Sequence, residues 1–271
     1  MKDINFLKEN SVDVNKCLEV FGDIETYNEL IKEFRKSIDG KIQQLETHYK
    51  DGDMQNYAIY VHSLKSDCKS FGFMKLASLA YDHEIKSKAN DIAYVKAHYD
   101  ELMEEVNKVQ AIVSDYLTDE ETTAAIYNNE DVQSIQPEDT LCEDIILVAD
   151  DSEVIRIFVK KIFDPDYELA FAKDGKEALS VIREHEEDNR IKAVLLDLNM
   201  PKVDGFAVLD YMTQANLLDK MPVTIISGDS SKEAISKAFE YNIVDMLNKP
   251  FNEKKIKEVV EKTIANVKGQ Y

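Results

Sequence analysis

The hydrophobic pattern of this chain changes once, across an acidic stretch near its middle. Between residues 23 and 117, apolar residues recur at steps of three and four, which is the spacing of amphipathic helices. From Ile145 onward, short apolar runs such as IILVA and AVLLD alternate with helical stretches, the pattern of a parallel sheet wrapped by helices. A length of 271 residues accommodates two domains. The sequence therefore predicts two domains of different fold class, one all-α and one α/β.

The first domain is predicted to span residues 1–117. Four long amphipathic helices with short connections favour an up-down helical bundle, and a short extra helix is expected before them. Asp53 follows a chain break at Asp-Gly-Asp and is predicted to cap the second long helix, which carries His62.

Residues 118–144 are predicted to form a linker. They include nine acidic residues, no lysine or arginine, and little periodicity. A flexible segment of this length has a root-mean-square span of roughly 25–30 Å, which would let the two domains move independently.

The second domain is predicted to span residues 145–271, with five parallel strands in a flavodoxin-like order. In such sheets ligands bind beyond the carboxyl ends of the strands, so the residues at those ends are the candidate site. Polar residues follow four of the five predicted strands directly: Asp150, Asp151, Asp197, Ser227 and Lys249.

These residue types together indicate phosphoryl chemistry. Carboxylates gathered at one edge repel one another and need a cation, and Mg²⁺ prefers one or two carboxylates, waters and phosphate oxygens. Lys249 and Ser227 would supply a point charge and a hydroxyl donor to a phosphoryl group on a carboxylate nucleophile. Taken singly, each residue could instead be a helix cap, a loop hydroxyl or a surface charge, but their coincidence at one edge favours a site.

From residue 145 to about residue 268 the sequence resembles a response-regulator receiver domain, through its DD pair and the motifs DLNMPKVDGF, ISGD and NKPF. The resemblance implies that Asp197 is the phosphoacceptor and that Lys249 and Ser227 hold the phosphoryl oxygens. It also implies a magnesium site formed by Asp151, Asp197 and the backbone carbonyl of Asn199, with Asp150 acting largely through water.

His62 lies on the polar face of its predicted helix. It shares that face with Lys65, Ser66 and Lys69, opposite an apolar stripe, so the face is expected to meet water or a partner. A neutral imidazole has a free nitrogen that can act as a nucleophile, and the two lysines would favour an added anion. A solvated polar face with an incidental histidine is the alternative.

The stretch HSLKSDCKSFG resembles a histidine phosphotransfer (Hpt) domain, with His62, Leu64, Lys65 and Gly72 at the motif positions. Ser66 replaces the commoner glycine, and its modest size should still let a receiver dock over His62. The resemblance implies that His62 is a phosphoryl carrier supported by Lys65, Ser66 and Lys69. Among the other histidines, His83 is expected to be packed in the core, and His48, His98 and His185 lack the motif.

Composition excludes several function classes. With 53 acidic against 33 basic residues, the net charge of -20 disfavours broad electrostatic binding to nucleic acid or an anionic membrane. The three cysteines lack paired or metal-type spacing, and no signal peptide or membrane span is apparent. We therefore expect a cytoplasmic protein with reduced thiols.

Together these features predict an intermediate of a histidine-aspartate phosphorelay. His62 would exchange a phosphoryl group with receiver aspartates, and its partners would be a histidine kinase or other receiver or Hpt domains. No ATP-binding kinase domain or output domain is apparent, so the expected activities are phosphotransfer and receiver self-phosphorylation and dephosphorylation, with no small-molecule substrate beyond phosphodonors.

The rival hypothesis is an interaction adaptor, controlled by receiver phosphorylation, in which His62 is not used. Met246 stands where receivers usually carry an aromatic switch residue, which argues mildly against a strong docking switch. Asn242 stands where the family often has glycine, a compatible exchange because asparagine tolerates a left-handed turn.

Overall fold

A computed structural model describes residues 1–118, 144–164, 166–229 and 231–268. Apart from its two end residues, the predicted acidic linker lies outside these ranges. None of the helices within them is both long and apolar enough to cross a membrane.

The first part of the chain, here called the helical half, is entirely α-helical. The four predicted long helices are present, but two short helices precede them where one was expected, because Asp3 and Asp13 each cap a separate helix. The predicted cap at Asp53 is confirmed, since its side chain accepts a hydrogen bond from the Asn56 backbone N–H at 3.2 Å. The helices are α1 (Ile4–Glu9), α2 (Val14–Phe21), α3 (Ile24–Asp51), α4 (Met54–Ser70), α5 (Met74–Lys88) and α6 (Ile92–Leu117).

The second part, here called the sheet half, is a five-stranded parallel sheet with helices on both faces. The strand order is β2-β1-β3-β4-β5, which confirms the predicted flavodoxin-like topology. Its elements are β1 (Ile145–Ala149), α7 (Glu153–Phe163), β2 (Glu168–Ala172), α8 (Gly175–Glu184), β3 (Ile191–Leu196), α9 (Gly205–Gln214), β4 (Val223–Ser227), α10 (Lys232–Ala238), β5 (Asp245–Asn248) and α11 (Glu253–Lys268).

The strands are nearly continuous apolar runs because helices cover both faces of the sheet. All five residues of β1 and all five of β4 are buried. On one face, Leu147 and Leu196 belong to a cluster packed against α8 and α9. Met246 packs, half-buried, against that cluster.

The other face of the sheet shares its apolar core with the helical half. One cluster of buried residues runs from the bundle through α7 and α11 to the sheet. At the junction, the ring of Phe21 on α2 meets Phe158 on α7 edge-on, with centroids 5.5 Å apart. The two halves therefore pack against each other through side chains that each half would otherwise expose.

Candidate functional site

Three carboxylates converge at the carboxyl edge of the sheet. Asp150 and Asp151 follow β1, Asp197 follows the neighbouring strand β3, and one oxygen from each lies within 4.8 Å of the others. Parallel pairing of β1 with β3 brings these strand ends together, since the Asp197 backbone N–H donates to the Ala149 carbonyl at 2.8 Å. The three carboxylates therefore lie together at the sheet edge that the sequence predicted.

Lys249 lies between two of these carboxylates. Its ammonium is 2.5 Å from Asp197 Oδ2 and 2.7 Å from Asp150 Oδ2. The Lys249 backbone N–H donates to the Ser227 carbonyl at 2.8 Å, which fixes the end of β5 beside the end of β4. Lys249 and Ser227 therefore both lie at the edge that holds Asp197.

Burial and neighbouring charges raise the pKa values of two carboxyls and of the lysine in this cluster. Burial raises the pKa of the Asp150 and Asp151 carboxyls, and the nearby carboxylates add to that rise. Burial alone would lower the pKa of Lys249, but the charges of Asp150 and Asp197 outweigh it and raise that pKa above its usual range. The site is therefore a crowded set of anions that an added cation would relieve.

The donor set fits a magnesium ion. Asp150, Asp151 and Asp197 offer only hard carboxylate oxygens, and Asp151 is half-buried, whereas the other two are buried. Asn199 follows in the same loop, and its backbone N–H donates to Asp197 Oδ1 at 3.0 Å. Its role as a carbonyl ligand stays a prediction.

His62 is buried, with 1% of its surface exposed, so of the two expected surroundings of this face, water and a partner, water is excluded. Lys65 and Ser66 are buried with it. The reason is that the polar face of α4 is covered by the sheet half, the second of the two possibilities that the sequence left open. His83 is buried as expected, with its Nδ1 2.8 Å from the Tyr57 hydroxyl.

Glu84 on α5 orients the His62 ring. One carboxylate oxygen lies 2.7 Å from His62 Nδ1, and the other accepts a 2.6 Å hydrogen bond from Lys65. An ionised carboxylate only accepts hydrogen bonds, so the proton between Glu84 and the ring lies on Nδ1. In the neutral ring, Nε2 then carries the lone pair.

The Nε2 atom of His62 is buried and has no hydrogen-bond partner among the described residues. It faces Gly228, the residue directly after Ser227 at the end of β4. A methyl group added at Gly228 would lie 3.1 Å from His62 Nε2 and 2.8 Å from Ser66 Oγ. This ring nitrogen therefore lies against the carboxyl edge of the sheet, the edge that also holds Asp197.

A basic cleft opens beside His62 at the seam between the halves. Its volume is about 390 Å³, and Lys65, Lys69 and Lys88 line it together with Gly228 and Asp229. Burial lowers the pKa of Lys69, and the neighbouring charges of Lys65 and Lys16 lower it further. Lys65 and Lys69, the two lysines predicted to attract an anion, both line this cleft, and that role stays a prediction.

Comparison with known proteins finds two domain families in this chain. The Hpt domain model matches residues 29–112, and the response regulator receiver domain model matches residues 146–261. The chain is 30% identical over 122 residues to the probable methanogenesis regulatory protein FilR2 of Methanothrix harundinacea, covering 43% of this chain and 79% of that protein. The chain belongs to the response-regulator family. The helical half is its Hpt domain, and the sheet half is its receiver.

Two further matches also cover less than half of this chain. The chain is 32% identical over 131 residues to protein-glutamate methylesterase/protein-glutamine glutaminase 2 of Carboxydothermus hydrogenoformans, covering 46% of this chain but only 35% of that protein. A response regulator receiver domain protein from Clostridium thermocellum is 24% identical, with a TM-score of 0.43, over 47% of this chain and 99% of that structure. Together the receiver and Hpt domains point to phosphorelay signalling and to partners of that class.

Several residues of the site escaped sequence reasoning. Glu84 sits 22 positions after His62, and the turn at Gly72 lies almost midway between them, so an antiparallel pairing of α4 with α5 could have placed them opposite each other. Lys41 on α3 pairs with Asp67 on α4, and no sequence signal marked either residue. Gly228 belongs to the ISGD motif, but its contact with His62 depends on how the two domains pack.

We expect the Glu84→Gln variant to destabilise the Hpt domain by about 3 kcal/mol at pH 7, because it leaves Lys65 buried beside a neutral partner. Burial alone would raise the pKa of Glu84, but its hydrogen bond with His62 and the charges of Lys65 and Lys88 outweigh burial and hold that pKa well below its usual range. A lowered folded-state pKa stabilises the fold above the unfolded-state pKa, and this stabilisation fades as the pH falls.

The difference in unfolding free energy between parent and Glu84→Gln should therefore shrink as the pH falls below about 4.3, the ordinary glutamate pKa. Urea denaturation of the full chain followed by circular dichroism measures it. Glu46→Gln is the control, since Glu46 forms an exposed ion pair with Lys50 at 3.3 Å and should change stability by less than about 0.5 kcal/mol. A Glu84→Gln chain as stable as the control variant would contradict this role for Glu84.

Proposed function

We propose that this protein is a phosphorelay intermediate that moves a phosphoryl group between His62 and the receiver aspartate Asp197. The observation that carries this proposal is the state of His62 Nε2. It is a buried nitrogen without a hydrogen-bond partner among the described residues, in a ring oriented through Nδ1 by Glu84 and facing the receiver edge at Gly228. A merely structural buried histidine would be expected to satisfy both ring nitrogens with hydrogen bonds.

The transfer exchanges one bond to phosphorus for another. In the forward direction an oxygen of the Asp197 carboxylate attacks the phosphorus of phosphohistidine 62, and a P–O bond forms as the P–Nε2 bond breaks. The electron pair of the broken bond stays on Nε2, which leaves a neutral imidazole with its proton on Nδ1. The reverse step returns the group to Nε2, so the same geometry serves both directions.

The surrounding side chains align the groups and neutralise charge. Lys249, held at 2.5 Å from Asp197, and the Ser227 hydroxyl would bind phosphoryl oxygens. On the Hpt side, Lys65 and Lys69 would attract the phosphoryl group, and Ser66 Oγ, buried without a partner among the described residues, is available to donate to it. A magnesium ion held by Asp150, Asp151, Asp197 and the Asn199 carbonyl would offset the negative charge that gathers in the transition state.

The free nitrogen also separates this proposal from the adaptor hypothesis. An adaptor would need the covered face of α4 only for packing, and a partnerless imidazole nitrogen in that face would then be unfavourable. The expected partners are a histidine kinase upstream and other receiver or Hpt domains.

The direct test uses a phosphohistidine donor and site mapping by mass spectrometry. The full chain is incubated with a phosphorylated histidine kinase, and the Hpt and receiver peptides are analysed separately. Label at both His62 and Asp197 is expected, and label confined to Asp197 under all conditions would favour the adaptor.

Chelating magnesium should suppress labelling of Asp197 by at least about 100-fold, because the crowded carboxylates lose the cation that offsets their repulsion and the charge of the phosphoryl group. The measurement compares initial rates of acyl phosphate formation in excess Mg²⁺ and in excess EDTA. Adding back Mg²⁺ should restore the rate, whereas Na⁺ at equal ionic strength is the control and should not. Labelling at full rate in EDTA would exclude the metal assignment.

A further inference from the structure

We infer that the receiver of this chain is the resident partner of its own Hpt domain. The face of α4 around His62 is docked on the active edge of the receiver in the same molecule, and another receiver reaches His62 only when the two domains separate. The signalling consequence rests on the proposed function, but the docking itself can be measured without any phosphoryl transfer.

The centre of this contact is apolar and aromatic. Phe21 of the Hpt domain meets Phe158 of the receiver edge-on, and Phe158 stacks on Phe251 with centroids 6.2 Å apart. All three rings are buried. Separation of the domains would expose part of this aromatic surface to water, and burial of such rings is a main source of stability in interfaces.

A buried polar contact lies between the aromatic cluster and the active site. The Ser152 hydroxyl of the receiver donates to Asp67 Oδ1 of the Hpt domain at 2.7 Å, and Lys41 pairs with the other oxygen of Asp67. Burial alone would lower the pKa of Lys41, but Asp67 and the receiver's Asp151 outweigh it and raise that pKa. Lys41 of the Hpt domain thus faces the anionic edge of the receiver. Such charge complementarity is typical of a specific interface.

The rim adds an exposed ion pair. Lys161 on α7 lies 2.6 Å from Glu29 and donates to the Thr26 hydroxyl at 3.2 Å, both on α3. Exposed pairs of this kind contribute little energy, but they fix the orientation of α7 against α3.

At the reactive end, only a glycine leaves room for the contact. Gly228 lies against His62 and Ser66, and the methyl of an alanine there would approach Ser66 Oγ to 2.8 Å. The Gly228 backbone is outside the left-handed region, so the receiver fold itself tolerates a side chain at this position. The demand for glycine therefore comes from the docked Hpt domain.

The two domains share one chain, which favours their contact over contacts with other proteins. Tethered partners meet at an effective concentration of order millimolar for a short flexible connection, so a free receiver at micromolar concentration competes poorly at equal affinity. The resident receiver would thus be both the first acceptor for His62 and a cover that other receivers must displace.

The experiment measures the accessibility of His62 with diethyl pyrocarbonate, which acylates an unprotonated imidazole nitrogen. The full, unphosphorylated chain is treated, and the modification rate of each histidine is followed by peptide mass spectrometry. While the domains are docked, His62 is covered, and it reacts only in the fraction of molecules whose domains have separated. His62 should therefore react at least about tenfold more slowly than His48, the partly exposed internal reference. Protection should be the same at about 1 and about 100 µM chain, because docking within one molecule is independent of concentration.

Substitutions at Gly228 test whether the docked receiver is what protects His62. Gly228→Arg places a long side chain against His62 and should raise the His62 rate at least about fivefold relative to His48, and Gly228→Ala should raise it in the same direction by less. Gly40→Ala is the matched control, because Gly40 lies near the same seam with nothing within 4 Å of an added methyl, and it should leave the rate unchanged.

Three results would overturn the inference. The first is a His62 that reacts as fast as His48 in the parent chain, and the second is protection that persists in the Gly228 variants. The third is protection that disappears on dilution, which would identify a second copy of the chain as the occupant. Failure of the relay would look different, because His62 would then be protected by docking yet never carry a phosphoryl group.

Discussion

Replacing Asp197 with alanine is expected to reduce acyl phosphate on the receiver by at least about 1,000-fold, since Asp197 is the proposed phosphoacceptor and alanine has no nucleophilic group. Asp197 is the carboxylate that Lys249 contacts at 2.5 Å, at the end of β3. The fold should survive, because Lys249 keeps Asp150 as an ion-pair partner at 2.7 Å and one of three mutually repelling carboxylates is removed.

Reduction with borohydride before digestion measures this outcome, because it converts an aspartyl phosphate to homoserine at the labelled position. Asp219→Ala, an exposed change near the other end of the sheet, is the control and should label like the parent. Undiminished acyl phosphate in the Asp197→Ala chain would show that another residue is the acceptor.

Replacing His62 with glutamine should abolish alkali-stable phosphohistidine while leaving Asp197 able to accept from a small phosphodonor. A glutamine amide cannot take a phosphoryl group, but its N–H can donate to Glu84 as the imidazole Nδ1–H does. Because position 62 is buried, we expect a loss of about 1 kcal/mol in stability instead of the near-zero effect of an exposed change.

Transfer from phosphorylated partner receivers to the full chain, resolved on gels after alkaline treatment, measures this prediction. His185→Gln is the matched control, since His185 lies at the end of α8 and its ring pairs with Asp188, and it should leave transfer unchanged. If the His62→Gln chain accepts a phosphoryl group at the parental rate, the relay proposal for the Hpt domain is wrong.

The receiver edge was predictable because its chemistry lies at positions that topology alone fixes. Parallel strands end at one edge, so Asp150, Asp197 and Lys249 come together once the strands are recognised. Asp150 and Asp197 directly follow apolar runs in the sequence, and Lys249 follows one after a single asparagine, so their positions could be predicted without knowledge of side-chain packing.

The burial of His62 was not predictable in the same way. Helical periodicity correctly placed it opposite the apolar stripe, but periodicity describes one helix and contains no information about what covers its polar face. The cover comes from residues far along the chain, such as Ser152, which contacts Asp67 across 85 positions. The count of short helices near the N-terminus failed for a local reason, since Asp3 and Asp13 cap two helices within a stretch that looked like one.

The Ser152 hydroxyl has one hydrogen and two lone pairs, and it uses them for different purposes. One lone pair accepts from the Ile155 backbone N–H at 3.3 Å and caps α7, while the hydrogen is donated to Asp67. The intradomain and interdomain bonds therefore do not compete, and the receiver can bind or release the Hpt domain without unravelling its first helix. The Ser152 hydroxyl can therefore keep α7 capped whether or not the Hpt domain is bound.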